Sequence, residues 1–254
     1  MRDIKIIVGR WGNMSQYQRN ILGVLGGIGP LASAEFMKTI YEYTLGEREQ
    51  DSPIALLYSD PTFPDRTQSL LAQEEEELLN QLIRSLEQMT EFGVAKIVIC
   101  CITSHHLFEK YPSHLKDRLI SLIDVTLNRV IETQKKHLLV CTKGTRRLEI
   151  FEKHPLWKQA QDYVVLPQGD DVDKIHEVIY QIKQNYNLED LVPVFEKLLD
   201  KYGVESFIAG CTEIHLFSKY FSSHHTSYSS VDPLIVIAED LAAKKLFKQQ
   251  VVEV

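Results

Sequence analysis

No run of apolar residues in the chain approaches the roughly 18 needed to cross a bilayer, so no membrane partner is expected. Positive charge is also short. The 28 Lys and Arg stand against 35 Asp and Glu, a formal net charge of −7. That is not the electrostatic footprint of a nucleic-acid-binding protein, and no nucleic-acid partner is expected. The nearest thing to a basic cluster, Lys135-Lys136-His137, reads as a solvated helix end before a strand. Cysteine is scarce: Cys100, Cys101, Cys141 and Cys211 are the whole set. None has C-x-x-C spacing, so no zinc or other metal site is expected. Free thiols fit a reducing, cytoplasmic compartment. Residues 1–20 carry Arg2, Asp3, Arg10, Trp11 and Arg19 and lack a continuous apolar segment followed by small residues. They do not read as a secretory signal. Within them, Ile4-Lys5-Ile6-Ile7-Val8 reads as a short extra strand or part of an appended tail.

What is present is ordinary in bulk and ordered in detail. Hydrophobic residues make up 44% and charged residues 25%, usual values for a soluble globular protein. A chain of 254 residues buries a substantial core in one or two domains. Short apolar runs alternate with amphipathic stretches. Strands are expected at 21–25, 54–59, 94–100, 138–141, 163–166 and 206–209, with a further short strand and turn at 119–125. Helices are expected at 31–43, 73–92, 127–136, 146–154, 173–185, 188–202 and 236–246, with one more around Leu107. Loops are expected at 60–67, 101–105 and 142–145. Alternation of this kind predicts an α/β fold with parallel sheets.

An approximate internal repeat divides the chain. Strand, glycine loop and helix occur at 21–43 and again at 138–154. Phe92-Gly93-Val94 leads through a strand to Cys101, as Tyr202-Gly203-Val204 leads to Cys211. We therefore expect two similar lobes, each a mainly parallel sheet flanked by helices, with the site in the cleft between them. The boundaries are 1–20 as an N-terminal extension, 21–125 with 232–254 as the first lobe and 126–231 as the second. Ligand sites in open α/β sheets lie at the carboxyl ends of strands, and there the repeat places one cysteine from each lobe. Two facing thiols can act as a base and an acid on opposite faces of one carbon, which inverts its configuration. Each needs its pKa brought down from roughly 8.5 by polar neighbours or a helix N-terminus. Cys100 and Cys141 have no such counterpart and read as small buried hydrophobes.

At these residues the chain resembles the aspartate/glutamate racemase family, the amino-acid racemases that need no pyridoxal phosphate. The resemblance runs from about Ile21 to the last helix. It is carried by the opening loop Gly26-Gly27-Ile28-Gly29-Pro30-Leu31-Ala32-Ser33, by Phe63-Pro64-Asp65-Arg66-Thr67 and by Cys101-x-Thr103. Thr142-Lys143-Gly144-Thr145, Gly210-Cys211-Thr212-Glu213-Ile214 and Val231-Asp232-Pro233-Leu234 follow in the same order. The resemblance implies no cofactor, an acidic amino acid as substrate and a homodimer. It implies Cys101 and Cys211 as the acid/base pair. Arg66 would bind the side-chain carboxylate, for which its planar fork is suited, with Lys143 adding a second positive charge. Thr103, Thr145 and Thr212, together with Gly27 and Ile28 of the opening loop, would hold the α-carboxylate.

One departure stands out. The family has Asn after the first cysteine, and this chain has Ile102, which cannot form a hydrogen bond. One donor fewer at a carboxylate costs about 1–3 kcal/mol. Ser104 is a candidate substitute. The doubled His105-His106 reads either as surface or capping histidines or as an imidazole that tunes Cys101. The resemblance leaves three alternatives: a maleate isomerase-like enzyme, a hydantoin racemase-like enzyme, and a ligand-binding homologue whose catalysis Ile102 has weakened.

Overall fold

In the computed structural model of the chain, residues 20–224 and 227–247 are described. The segment at residues 4–8 lies outside them. Among the described residues, seven short strands form two parallel sheets. β1 (Leu22–Gly26), β2 (Ala55–Ser59) and β3 (Lys96–Ile99) make the first, in the order β2-β1-β3. β4 (His137–Cys141), β5 (Val164–Val165), β6 (Ser206–Gly210) and β7 (Ser229–Val231) make the second, in the order β5-β4-β6-β7.

The eleven α-helices among the described residues are α1 (Pro30–Thr44), α2 (Arg66–Leu71), α3 (Glu76–Glu91), α4 (Ser113–Lys116), α5 (Leu122–Thr133), α6 (Lys143–Arg147), α7 (Trp157–Ala160), α8 (Asp171–Lys183), α9 (Leu188–Tyr202), α10 (His215–Ser223) and α11 (Pro233–Ala242).

The two-residue period of a strand sorts its side chains between two layers. Leu22, Val24, Val98, Leu139, Ile208 and Val231 point into a core shared by both sheets, filled by Phe36 and Ile40 of α1, Leu127 and Val130 of α5, and Ile237 and Leu241 of α11. Leu25, Ile97 and Ile99 face the other way, onto Leu78, Leu82, Leu86 and Met89 of α3. Leu138, Val140, Phe207 and Ala209 face Ile175, Ile179, Phe195, Leu199, Phe217 and Phe221 of α8, α9 and α10. Both faces of each sheet are covered, which is why the strands read as unbroken apolar runs rather than alternating ones.

The repeat has a structural counterpart. α3 and α9 are each followed by a glycine at positive φ, Gly93 (φ 82) one residue past the Phe92 cap and Gly203 (φ 62) as the cap itself, and each feeds the strand that leads to a repeated cysteine. A side chain at those positions would be strained.

Several local expectations differ. The loop expected at 60–67 ends early, because Asp65 caps α2 by accepting the Gln68 N–H at 2.8 Å, so Arg66 opens a helix. Only an isolated bridge, Ile97 to Leu119, stands where a strand was expected at 119–125. Ser121 then caps α5, accepting from the Asp124 N–H at 3.1 Å. Residues 142–145 are not a loop: Thr142 caps α6 through the Thr145 N–H at 3.2 Å. The helix expected over 146–154 stops at Arg147, and Glu149 takes φ 53, which a helix cannot accommodate. α10 and β7 lie beyond what the pattern had indicated.

Candidate active site

The carboxyl ends of β1, β2, β3, β4 and β6 converge on one place, as a parallel sheet dictates. The opening loop leaves β1 at Gly27, where a Cβ would collide with the backbone of Asp60. The carbonyl of Ile28 accepts from Arg66 Nη2 at 3.0 Å, and Arg66 Nη1 donates to the Pro64 carbonyl at 3.0 Å. Arg66 is thus fixed by two backbone acceptors, with two of its five N–H donors engaged.

The two cysteine segments are joined directly. Thr212 donates its hydroxyl to the carbonyl of Cys100 at 3.1 Å, so the turn after β6 is bonded to the turn after β3. Cys101 (7% exposed) and Cys211 (5%) are both buried. The Cys211 thiol donates to Glu213 Oε2 at 2.8 Å. Burial pushes that thiol well up, and the charges of Glu213 and Cys101 add to the shift against the opposing pull of Lys183. Cys211 therefore rests as a thiol. Cys100 and Cys141 are fully buried, and burial pushes both up, Cys141 to about 12. They keep the inert character expected of them.

Three threonine hydroxyls close a ring. Thr103 lies 3.2 Å from Thr142 and 2.9 Å from Thr145, and Thr142 and Thr145 are 3.2 Å apart. All three are buried. This places Thr103 and Thr145 together from different strand ends. Thr212 is committed to the Cys100 carbonyl instead.

Two expected donors are engaged elsewhere. Ser104 bonds the carbonyl of Cys101 at 2.8 Å, so its hydroxyl serves the backbone. The Lys143 ammonium pairs with Asp173. The cation beside the cysteines is Lys183, whose Nζ lies 3.9 Å from Glu213 Oε1. Burial acts to lower its pKa, but the charges of Glu213, Cys211 and Cys101 outweigh burial and raise it. Ile102 is 1% exposed and packs in the core between the sheets, so it lends the site nothing.

Tyr180 also belongs to this region, although no motif marks it. Its hydroxyl donates to Asp65 Oδ2 at 2.9 Å, and Lys183 Nζ lies 4.6 Å from its ring centre. His176, Tyr180 and Lys183 fall at i, i+4 and i+7 on α8, one helical face. That polar stripe beside the apolar Ile175-Ile179-Ile182 face was the available signal. His105 donates from Nδ1 to the Cys101 carbonyl (3.0 Å), because its Nε2 accepts the Leu122 N–H at 3.0 Å. Burial holds it down, to about 4. It is a neutral clamp on the Cys101 backbone.

The profile of the Asp/Glu/Hydantoin racemase family matches residues 25–241. Among solved structures, an aspartate racemase from Picrophilus torridus superposes with TM-score 0.74 at 24% identity, over 90% of this chain and 96% of that one. An aspartate racemase homologue from Pyrococcus horikoshii gives 0.66 at 22% identity, over 89% and 99%. A glutamate racemase from Francisella tularensis in complex with D-glutamate gives 0.56 at 16% identity, over 92% and 84%. At these identities the likeness is one of fold.

Proposed function

The chain belongs to the Asp/Glu/Hydantoin racemase family, and from that premise we propose that it racemises an acidic amino acid, aspartate or glutamate, by moving a proton between Cys101 and Cys211 without a cofactor. The observation that carries this reading is the bond from Thr212 to the Cys100 carbonyl, which holds the two cysteine turns in one site. The charge effect of Cys101 on the Cys211 thiol supports it.

In this reading the lobes, 21–125 with 232–254 and 126–231, enclose the substrate. One cysteine, as thiolate, removes the α-proton, and the other, as thiol, delivers a proton to the opposite face. Glu213 accepts the Cys211 proton when that sulfur acts as base. The transfer within the pair leaves its net charge unchanged, so it avoids placing a second anion in a buried site. Arg66 and Lys183 supply the positive charge an acidic substrate needs. Thr103 and Thr145 donate to the α-carboxylate, whose charge grows as the proton leaves. A homodimer in a reducing cytoplasm completes the reading. The described cysteines are all free, and no helix among the described residues is long and apolar enough to cross a membrane.

The test is α-proton exchange in deuterium oxide, without pyridoxal phosphate, followed by NMR. Exchange from L-aspartate or L-glutamate with appearance of the D-enantiomer supports the reading. Exchange from a hydantoin alone transfers the mechanism to a cyclic substrate. No exchange across a broad panel of both classes ends it.

A further inference from the structure

Tyr111 is 3% exposed, and its hydroxyl is one of five buried side-chain polar atoms with no hydrogen-bond partner among the described residues. Its backbone is fixed, with the N–H donating to the Phe108 carbonyl at 3.3 Å and Phe108 meeting its ring edge-on. The ring packs in the cluster that holds Cys101, Ile28, Phe63 and Leu70. Tyr111 thus shares one buried cluster with Cys101 and with Ile28, whose carbonyl holds Arg66. A phenol left unpaired in such a place is destabilising relative to a satisfied one. Phenylalanine would fill the same volume without that cost. An orphan donor in an otherwise apolar wall calls for an acceptor that exists only part of the time.

We infer that the Tyr111 hydroxyl is the hydrogen-bond donor to Cys101 when that sulfur carries its negative charge. The inference rests on the two-cysteine reading. No proton leaves Tyr111: its O–H bond stays intact, and a hydrogen bond to the sulfur forms when the Cys101 proton is lost and breaks when it returns. Burial and the Cys101 charge both push the phenol up, so it keeps its proton and remains a donor throughout. Each sulfur then has its own partner. Cys211 has an acceptor, Glu213, and Cys101 has a donor, Tyr111. Tyr111 is a positioning residue that favours one protonation state of one cysteine.

The experiment measures alkylation of Cys101 by iodoacetamide against pH in the Cys211→Ser chain, read by fragment mass spectrometry that separates Cys100 from Cys101. Adding Tyr111→Phe should move the midpoint up by about one pH unit, a roughly tenfold slowing at fixed pH below it. Thermal stability should hold or rise, since no bond of the resting protein is removed. An unchanged midpoint in a folded variant overturns the inference. If Tyr111→Phe does not fold, 3-fluorotyrosine at position 111 replaces it. That residue keeps shape and hydroxyl but donates more strongly, so the midpoint should fall, and no movement again overturns the inference. The readout needs no substrate. A shifted midpoint, with no α-proton exchange by the chain that keeps both cysteines, would leave this inference standing and sink the racemase reading.

Discussion

Tyr180 donates its hydroxyl to Asp65 Oδ2 across 2.9 Å, so a helix flanking the second sheet holds the residue that caps α2 beside the first. Burial acts to raise the Asp65 carboxyl, but its hydrogen bonds to Gln68 and Tyr180 and the charges of Arg66 and Lys183 bring it below its ordinary value. The carboxylate is therefore charged and tied to both sides at neutral pH, immediately before Arg66.

Tyr180→Phe should loosen the placement of Arg66 and Lys183 without removing either charge. We expect KM for the proposed acidic substrate to rise about tenfold with a smaller fall in kcat, the scale of one lost charge-assisted hydrogen bond. Steady-state kinetics in both directions checks this, and a fall in kcat alone would assign Tyr180 to the chemical step.

Cys101→Ser and Cys211→Ser should each lower racemisation by roughly a thousandfold or more, since a buried serine is a far weaker acid and base than a thiol. Polarimetry or chiral chromatography reads the effect. Near wild-type turnover in either variant would refute the two-base assignment.

Glu213→Gln separates two consequences of one carboxylate. Removing the charge next to the Cys211 thiol takes away two influences that raise it, so alkylation of Cys211 near pH 8 should speed up. The same change removes the proton acceptor within the pair, and racemisation should fall roughly a hundredfold to ten-thousandfold. A variant more reactive toward iodoacetamide yet slower in turnover is the expected signature. Parallel changes would assign Glu213 a purely structural part.

Stability should fall on the acid side for a definable reason. His105 and His137 are both held at about 4, chiefly by burial, against an unfolded value of 6.5. Between those pH values the unfolded chain binds more protons than the folded one. Stability is thus fully present above about 6.5 and is lost as pH falls toward 4. Thermal melts across pH 4–7.5 should show Tm declining through that window, and the combined His105→Gln, His137→Gln chain should show a shallower slope whatever its Tm at pH 7.5. An unchanged slope would exclude both histidines.

The features legible in the sequence were those that leave a local trace. Parallel strands show as apolar runs, the repeat shows as Gly93-Val94 against Gly203-Val204, and Arg66 sits in a motif. What escaped depends on contacts distant along the chain. Lys143 and Lys183 are both lysines near the start or end of a helix, and only the pairing of one with Asp173 and the other with Glu213 separates them. The hydroxyls of Ser104 and Thr212 turn to backbone carbonyls, a choice set by geometry that residue type does not encode. Residues 143–147 give no periodic signal, because a threonine cap starts that short helix.

In the proposed reaction, the ring of Thr103, Thr142 and Thr145 would act as a threshold. Each hydroxyl is already satisfied by its neighbours, so an arriving acceptor must break a bond inside the ring to be greeted by one of them. A neutral amide or ester oxygen exchanges like for like and gains little. A carboxylate, whose bonds are roughly twice as strong as neutral ones, gains from the exchange. The ring would thus filter ligands by charge before either sulfur is engaged, and would close again behind a departing product.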